Sequence, residues 1–275
     1  MGDYAISQSI PRFEDPKLLT GGGDFIDDEN AYGQLHAAVV RSPYAHADIV
    51  QIDVSEAQKA KNVVAIYTGQ DYKMAGWGTI PHIGPPVKRR GGKDFILPDF
   101  YPLAVDRVRM VGEGVAFVIA ETAADAKIAA DLVIVEFSPL PGSASTARAL
   151  ETGARVIWPD IGSNEALVHE IGDKIATEEA FSKADHIVKQ RFNINRVLGN
   201  AMEMRACLAV YDARTDHYTL RAPVQHPWVV RKVLSSTVIG VDELQVRVIA
   251  PDVGGSFDIK ANVYPEYLMA LFAAR

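Results

Sequence analysis

The tract most suited to chemistry is Asp252-Val253-Gly254-Gly255-Ser256-Phe257-Asp258. Adjacent glycines let backbone N–H groups approach an oxyanion closely, and a nest of such donors favours a phosphate or a metal oxo ligand. The same glycines equally serve a plain strand-to-helix turn, and spacing alone leaves both readings open. It does exclude the common nucleotide motifs. No Gly-Lys-Ser/Thr follows at Walker spacing, and Gly-x-Gly-x-x-Gly is absent from the tract. Gly21-Gly22-Gly23 lacks a flanking strand and helix. His36, His46, His82, His186, His217 and His226 are scattered without ligand spacing, and none is assigned to a metal. The single cysteine, Cys207, lies in an apolar strand and reads as a small core residue, not a nucleophile.

The elements that carry this tract follow from periodicity. Residues Pro11 to Asp28 read as an extended, turn-rich lead. Gln34 to Arg41, Asp48 to Asp53, Val63 to Thr68, Val115 to Ala120 and Ile134 to Phe137 read as strands, and Thr122 as the cap of a helix with Ala126, Ala129, Ala130 and Val133 on one face. Lys73 to Pro102, rich in Gly and Pro, is a long surface excursion of the kind often used for function or partners. Pro139 to Asn164 reads as a linker. A second pattern follows: a helix at Thr177 to Ala184, a long strand at His186 to Arg196, and a hairpin of Cys207 to Asp212 with His217 to Ala222. Pro227 suits the first turn of a helix to about Ile239, followed by a strand at Leu244 to Ala250. After the glycine turn a helix begins near Val263, with Tyr264, Leu268, Leu271 and Phe272 as its apolar stripe. The pattern is still running at Arg275, so a partner or further sequence is expected to continue the fold. The fold class is α+β: residues 1–22 an extended lead, 23–141 an α+β domain, 142–164 a linker and 165–275 the first part of a second domain.

Bulk properties narrow the function classes. The 275 residues are 48% hydrophobic and 23% charged, with a net charge of −7, which is ordinary globular composition without a nucleic-acid face. Lys88-Arg89-Arg90 is the densest basic run and reads as a solvated loop. No apolar run reaches the roughly 18 residues of a membrane span. Met1-Gly2-Asp3-Tyr4 opens no signal peptide, and with Ile6 it makes a poor myristoylation site. One cysteine permits no internal disulfide, no cysteine-held iron–sulfur cluster and no Cys-rich zinc site. A cytoplasmic protein fits these observations.

Six tracts then occur in one order: Ile10-Pro11-Arg12-Phe13-Glu14-Asp15-Pro16-Lys17-Leu18-Leu19-Thr20-Gly21, Leu35 to Ala47, Val111-Gly112-Glu113-Gly114-Val115-Ala116, Asn200-Ala201-Met202-Glu203-Met204-Arg205, Gln225-His226-Pro227 and the glycine turn. In these tracts the chain resembles the molybdenum-binding subunit of the xanthine dehydrogenase and aldehyde oxidase family, including its carbon monoxide dehydrogenase-like members. The resemblance implies a hammerhead domain followed by the beginning of a molybdopterin-binding domain. It implies that Gln225 hydrogen-bonds an oxygen ligand of molybdenum through its amide. It places Gly254, Gly255 and Ser256 against the cofactor, Phe257 beside the substrate, and the N–H of Asp258 toward a molybdenum oxygen. Neutral donors of this kind leave the metal's charge unchanged. The residues alone also admit Gln225 as a polar residue opening a helix and Phe257 as core packing. Met202-Glu203-Met204-Arg205 carries the family's Met-Glu-x-Arg pattern, with Met204 where proline is usual, and is expected to form a buried Glu203–Arg205 pair that positions the second domain.

The resemblance further implies a molybdopterin cofactor, with the cytosine dinucleotide form admitted, and oxidation of an aldehyde or aromatic N-heterocycle with oxygen from water. Iron–sulfur clusters and FAD would sit on partner subunits. Three departures qualify this. Asp258 stands where glycine is usual, so its carboxylate crowds or repels an oxo group unless it turns away. Ala261 replaces the glutamate that purine hydroxylases carry, which argues against a purine substrate. Family subunits run well past Arg275, and the general-base glutamate is expected in that further portion or in a partner polypeptide, so no catalytic residue is assigned in this chain. The leading reading is an oxidoreductase subunit that supplies one side of the cofactor site. A non-catalytic scaffold that has lost the cofactor through Asp258 and a free-standing oxyanion-binding domain are the rivals.

Overall fold

The computed structural model describes residues 9–82, 88, 92, 95, 97–143 and 145–275. Met1-Gly2-Asp3-Tyr4, Arg89 and Arg90 lie outside the described residues, as do parts of the Lys73 to Pro102 excursion. In chain order the elements are α1 (Asp15–Leu19), β1 (His36–Arg41), β2 (Ala47–Asp53), α2 (Ser55–Lys59), β3 (Val63–Thr68), α3 (Gly69–Met74), β4 (Arg107–Val108) and β5 (Gly114–Ala120). There follow α4 (Ala123–Asp131), β6 (Ile134–Pro139), α5 (Lys174–Lys183), β7 (Leu208–Asp212), β8 (His217–Arg221), α6 (Pro227–Val233), β9 (Val246–Ile249) and α7 (Pro265–Ala274). They form two compact units: Leu35–Gly199 with Thr237–Gly240, and Met1–Gln34 with Asn200–Ser236 and Val241–Arg275.

The first unit is built around β5. Its uninterrupted run Gly-Val-Ala-Phe-Val-Ile-Ala is buried at every position and takes the centre of an antiparallel sheet, between β1 and β3. Thr122 Oγ1 accepts the Asp125 N–H at 3.1 Å and starts α4. That helix packs against β1 and β5, burying Ala126 and Ala129, whose small side chains permit close approach. A second sheet, β4-β2-β6, encloses Ala47, Val108 and Val115 with Phe137 at its margin. Gly78 secures the returning segment 237–240 to this unit. Its N–H donates to the Val238 carbonyl at 2.7 Å, and a Cβ there would fall 1.9 Å from the Thr237 carbonyl oxygen.

Two expectations require correction. The lead at Pro11 to Asp28 is not simply extended: it holds the short helix α1 and a 3-10 turn at Ile26–Asp28. The strand expected at His186 to Arg196 does not form, and Val188 and Ile194 are 91% and 94% exposed. A strand needs a neighbour to satisfy its N–H and C=O groups, and among the described residues none pairs with this segment. Its alternating apolar residues are therefore left in solvent.

In the second unit β7 and β8 form the expected hairpin, and β9 lies parallel to β8. Parallel pairing requires a crossover, which α6 provides. Pro227 occupies the first turn of α6, and the chain continues through Leu234–Ile239 as a π-helical turn, so the helical stretch does reach Ile239. Helix α7 packs on β7 and buries Tyr267, Leu268, Met269 and Leu271. Tyr264 of the expected stripe is instead the residue preceding its first turn. Among the described residues no helix is long and apolar enough to cross a membrane.

Candidate functional site

The glycine turn belongs to the second unit and is fastened at both ends. On its β9 side, the Asp252 carboxylate accepts from Lys17 Nζ at 2.6 Å and from the Asp24 N–H at 2.8 Å, while the Asp252 N–H donates to the Asp24 carbonyl at 3.0 Å. The Lys17 ammonium, then the Asp24 N–H, hold the Asp252 carboxyl below the usual carboxylate range. On its far side the Ile259 N–H donates to Ser256 at 3.0 Å. Between these anchors the backbone is left-handed at three places: Gly255 (φ +97°), Phe257 (+45°) and Asp258 (+62°). Glycine takes this conformation freely, whereas Phe257 and Asp258 store about 1–3 kcal/mol each. Such strain persists only where the surroundings over-determine it, and the turn is so held.

Gly254 is required for a different reason. A Cβ there would lie 2.5 Å from Glu203 Cβ. The two residues instead bond in both directions: the Gly254 N–H donates to Glu203 Oε2 at 2.8 Å, and the Glu203 N–H to the Gly254 carbonyl at 3.3 Å. Glu203 Oε2 also accepts from Lys260 Nζ at 2.7 Å, with Lys260 fully enclosed and the Glu203 side chain 8% exposed. This corrects the expected Glu203–Arg205 pair. A buried ammonium needs a carboxylate far more than an exposed guanidinium does, and Glu203 goes to Lys260. Arg205 lies over the Tyr264 ring, 4.1 Å from its centroid. Sequence reasoning missed Lys260, whose only signal is a lone cation between Ile259 and Ala261.

Gln225 meets the turn from the start of α6. Its N–H donates to the Lys260 carbonyl at 3.1 Å, and its Nε2 donates to Asp258 Oδ1 at 3.2 Å. Asp258 therefore does not turn away from the site, as it would need to in order to leave Gln225 free. It occupies one of the two hydrogens of that amide. Gln225 and Asp258 are thus brought together across 33 residues of sequence. Phe257 is 71% exposed, so its side chain takes no part in the core of this chain.

Three polar atoms around the turn are buried with no hydrogen-bond partner: Gln225 Oε1, Ser256 Oγ and Glu203 Oε1. Among the described residues, the backbone N–H groups of Gly255, Ser256, Phe257 and Asp258 also engage no protein acceptor. The Ser256 hydroxyl and the four consecutive N–H groups are donors open to an oxygen-rich group, whereas Gln225 Oε1 and Glu203 Oε1 are acceptors that such a group would not satisfy. A molybdopterin cofactor, with phosphate and metal-oxygen acceptors, fits this set of neutral donors. Among the described residues no cluster of His, Cys, Asp or Glu could itself hold a metal. Cys207 takes no part: its Sγ lies 3.8 Å from the Glu266 carbonyl, and burial pushes the thiol up to about 12.

Comparison with known proteins identifies the domains that carry these residues. Two family models match in succession: the aldehyde oxidase and xanthine dehydrogenase a/b hammerhead domain over residues 20–141, and the molybdopterin cofactor-binding domain over 158–275. The chain belongs to the aldehyde oxidase and xanthine dehydrogenase family. It carries that family's hammerhead domain followed by the start of its molybdopterin-binding domain. Among its relatives, the nicotine 6-hydroxylase large subunit of Paenarthrobacter nicotinovorans is 37% identical, covering 98% of this chain and 32% of the relative. The carbon monoxide dehydrogenase large chain of Afipia carboxidovorans is 33% identical, covering 96% and 32%. Quinoline 2-oxidoreductase from Pseudomonas putida 86 superposes with a TM-score of 0.82 at 34% identity, covering 99% of this chain and 33% of that one. The chain spans about a third of the length of these relatives.

Proposed function

We propose that the chain supplies one wall of a molybdenum-cofactor site in a hydroxylase or dehydrogenase that oxidises an aldehyde or an aromatic N-heterocycle. The observation that carries this is the convergence of Gln225 with the turn 254–258, where an unpartnered hydroxyl and free N–H donors face no protein acceptor. When bound, the cofactor supplies two-electron chemistry that replaces a C–H bond with C–O, the oxygen coming from water. The chain's own residues then bind and orient. Gly255, Ser256 and the N–H of Asp258 donate to the group, the remaining amide hydrogen of Gln225 donates beside them, and the exposed Phe257 ring borders the substrate. These donors are fixed before the reaction, so no reorganisation is needed as charge develops.

In this proposal the general-base glutamate lies in a further portion of the subunit or in a partner polypeptide. Electrons leave through a subunit holding iron–sulfur clusters and pass to FAD on another. The relatives' own names, a nicotine hydroxylase and a carbon monoxide dehydrogenase among them, support a small-molecule substrate. The assembly is proposed to be cytoplasmic.

A second reading, a scaffold without cofactor, is favoured by one observation: the Asp258 carboxylate sits among donors meant for an anion and takes a hydrogen from Gln225. Molybdenum analysis of the purified complex, wild type and Asp258→Gly, separates the two. Stoichiometric metal in the wild type supports the enzyme reading. Metal or activity appearing only in Asp258→Gly would establish the scaffold.

A further inference from the structure

A lysine with no exposed surface is rare unless it is paired, and among the described residues Lys260 has a single side-chain partner, Glu203 Oε2 at 2.7 Å. That same oxygen receives the Gly254 N–H at 2.8 Å. At its other end, the Lys260 carbonyl receives the Gln225 N–H at 3.1 Å. One residue thus reaches both sides of the candidate cradle, its side chain leading to the glycine turn and its backbone to Gln225.

Two other paths run between the two sides. The Gln225–Asp258 contact, at 3.2 Å, joins two side chains with rotational freedom, whereas the Lys260 carbonyl and the Gln225 N–H belong to the backbone. The Glu203–Gly254 pairing is strong but does not include Gln225. Bonds to a charged group are about twice as strong as neutral ones, and in an enclosed setting they fix geometry as well as energy. Glu203 could rotate about its side-chain torsions if its oxygen were held by Gly254 alone. The buried ammonium fixes that oxygen at a second point and so fixes where the Gly254 peptide lies.

We propose that Lys260 is the positioning residue of the site: through Glu203 it sets the glycine turn, and through its own carbonyl it registers that turn against Gln225. This role rests on the cofactor-binding reading above. Lys260 touches neither cofactor nor substrate and acts only through the residues it holds. The competing explanation is that Lys260 merely neutralises Glu203.

Two variants made in the full-length protein with its partner subunits decide between these. Lys260→Met removes the ammonium and strands the Glu203 carboxylate. Glu203→Gln/Lys260→Met removes both charges while leaving an amide oxygen to accept the Gly254 N–H. Three quantities are read: melting temperature, deuterium uptake of peptides spanning 250–262, and molybdenum per mole of protein. Lys260→Met should lose in all three. The double variant should recover melting temperature, yet exchange the Gly254 amide, the turn N–H that Glu203 holds, about 10-fold faster than wild type and bind molybdenum about 10–100-fold less tightly. Wild-type exchange and molybdenum in the double variant would overturn the proposal, because charge balance then suffices. A faster-exchanging turn with undiminished molybdenum would overturn it equally. Wild-type protein without molybdenum sinks the cofactor reading instead, and turn exchange in the two variants then decides alone whether Lys260 positions the turn.

Discussion

Replacing Gly254 by alanine adds one methyl group, placed 2.5 Å from Glu203 Cβ and 3.4 Å from the Phe25 ring. Carbon atoms pack at roughly 3.5–4.0 Å, so the first contact must open by about 1 Å or more. Overpacking of this kind costs about 1–3 kcal/mol. The movement also pulls the Gly254 N–H away from the Glu203 carboxylate, and a hydrogen bond to a charged group contributes about 1.5–3 kcal/mol. A central expectation is a loss of about 4 kcal/mol, or roughly 8–16 °C in melting temperature for a domain of this size. Gly21→Ala is the matched control in the same unit. Its φ of +76° makes alanine strained, but nothing lies within 4 Å of the added Cβ. That strain alone costs about 1–2 kcal/mol. Differential scanning calorimetry of the two variants beside wild type makes the comparison. A Gly254→Ala loss no larger than that of Gly21→Ala would refute the close approach of Glu203 and the reasoning built on it.

Two further predictions follow from the same unit. Phe257→Ala removes an exposed ring that packs little, so the melting temperature should stay within a few degrees while kcat/KM falls by about 10-fold or more in steady-state assays of the complex. Equal turnover in the two proteins would remove Phe257 from the substrate's side. Burial pushes the Cys207 thiol up to about 12 from 9.0, so between these values the unfolded chain has released a proton that the folded chain keeps. The stability tied to this group is present below pH 9.0 and is lost as pH rises toward 12. Native protein should therefore resist alkylation at about pH 8, with labelling seen by mass spectrometry only after denaturation. Rapid native labelling would contradict the enclosed thiol.

Local chemistry was the part of the fold most open to reading from sequence. The apolar run of β5, the Thr122 cap, the Pro227 helix start and the β7–β8 hairpin are all decided by neighbours in the chain. The segment His186 to Arg196 carries a strand's alternation yet forms none, because pairing depends on a distant edge and parity says nothing of its presence. At the candidate site, the resemblance singled out Gln225 and the turn, and the structure joins them through Asp258. The Glu203–Lys260 pair was not legible. Glu203 has one cation two residues away and another 57 away, and only packing determines which is enclosed. The positive φ of Phe257 and Asp258 was also hidden, since neither residue type signals it.

The enclosed pair has an evolutionary consequence. Removing one member of a buried ion pair costs about 3–5 kcal/mol, a large share of the 5–15 kcal/mol by which a domain is stable. Gly254 is bound to the same carboxylate and tolerates no side chain beside it. A lineage therefore cannot leave this arrangement one substitution at a time without passing through a crippled intermediate. Positions 203, 254 and 260 should be inherited as one unit, either kept together or exchanged together, while Phe257, free in solvent, is at liberty to follow the substrate.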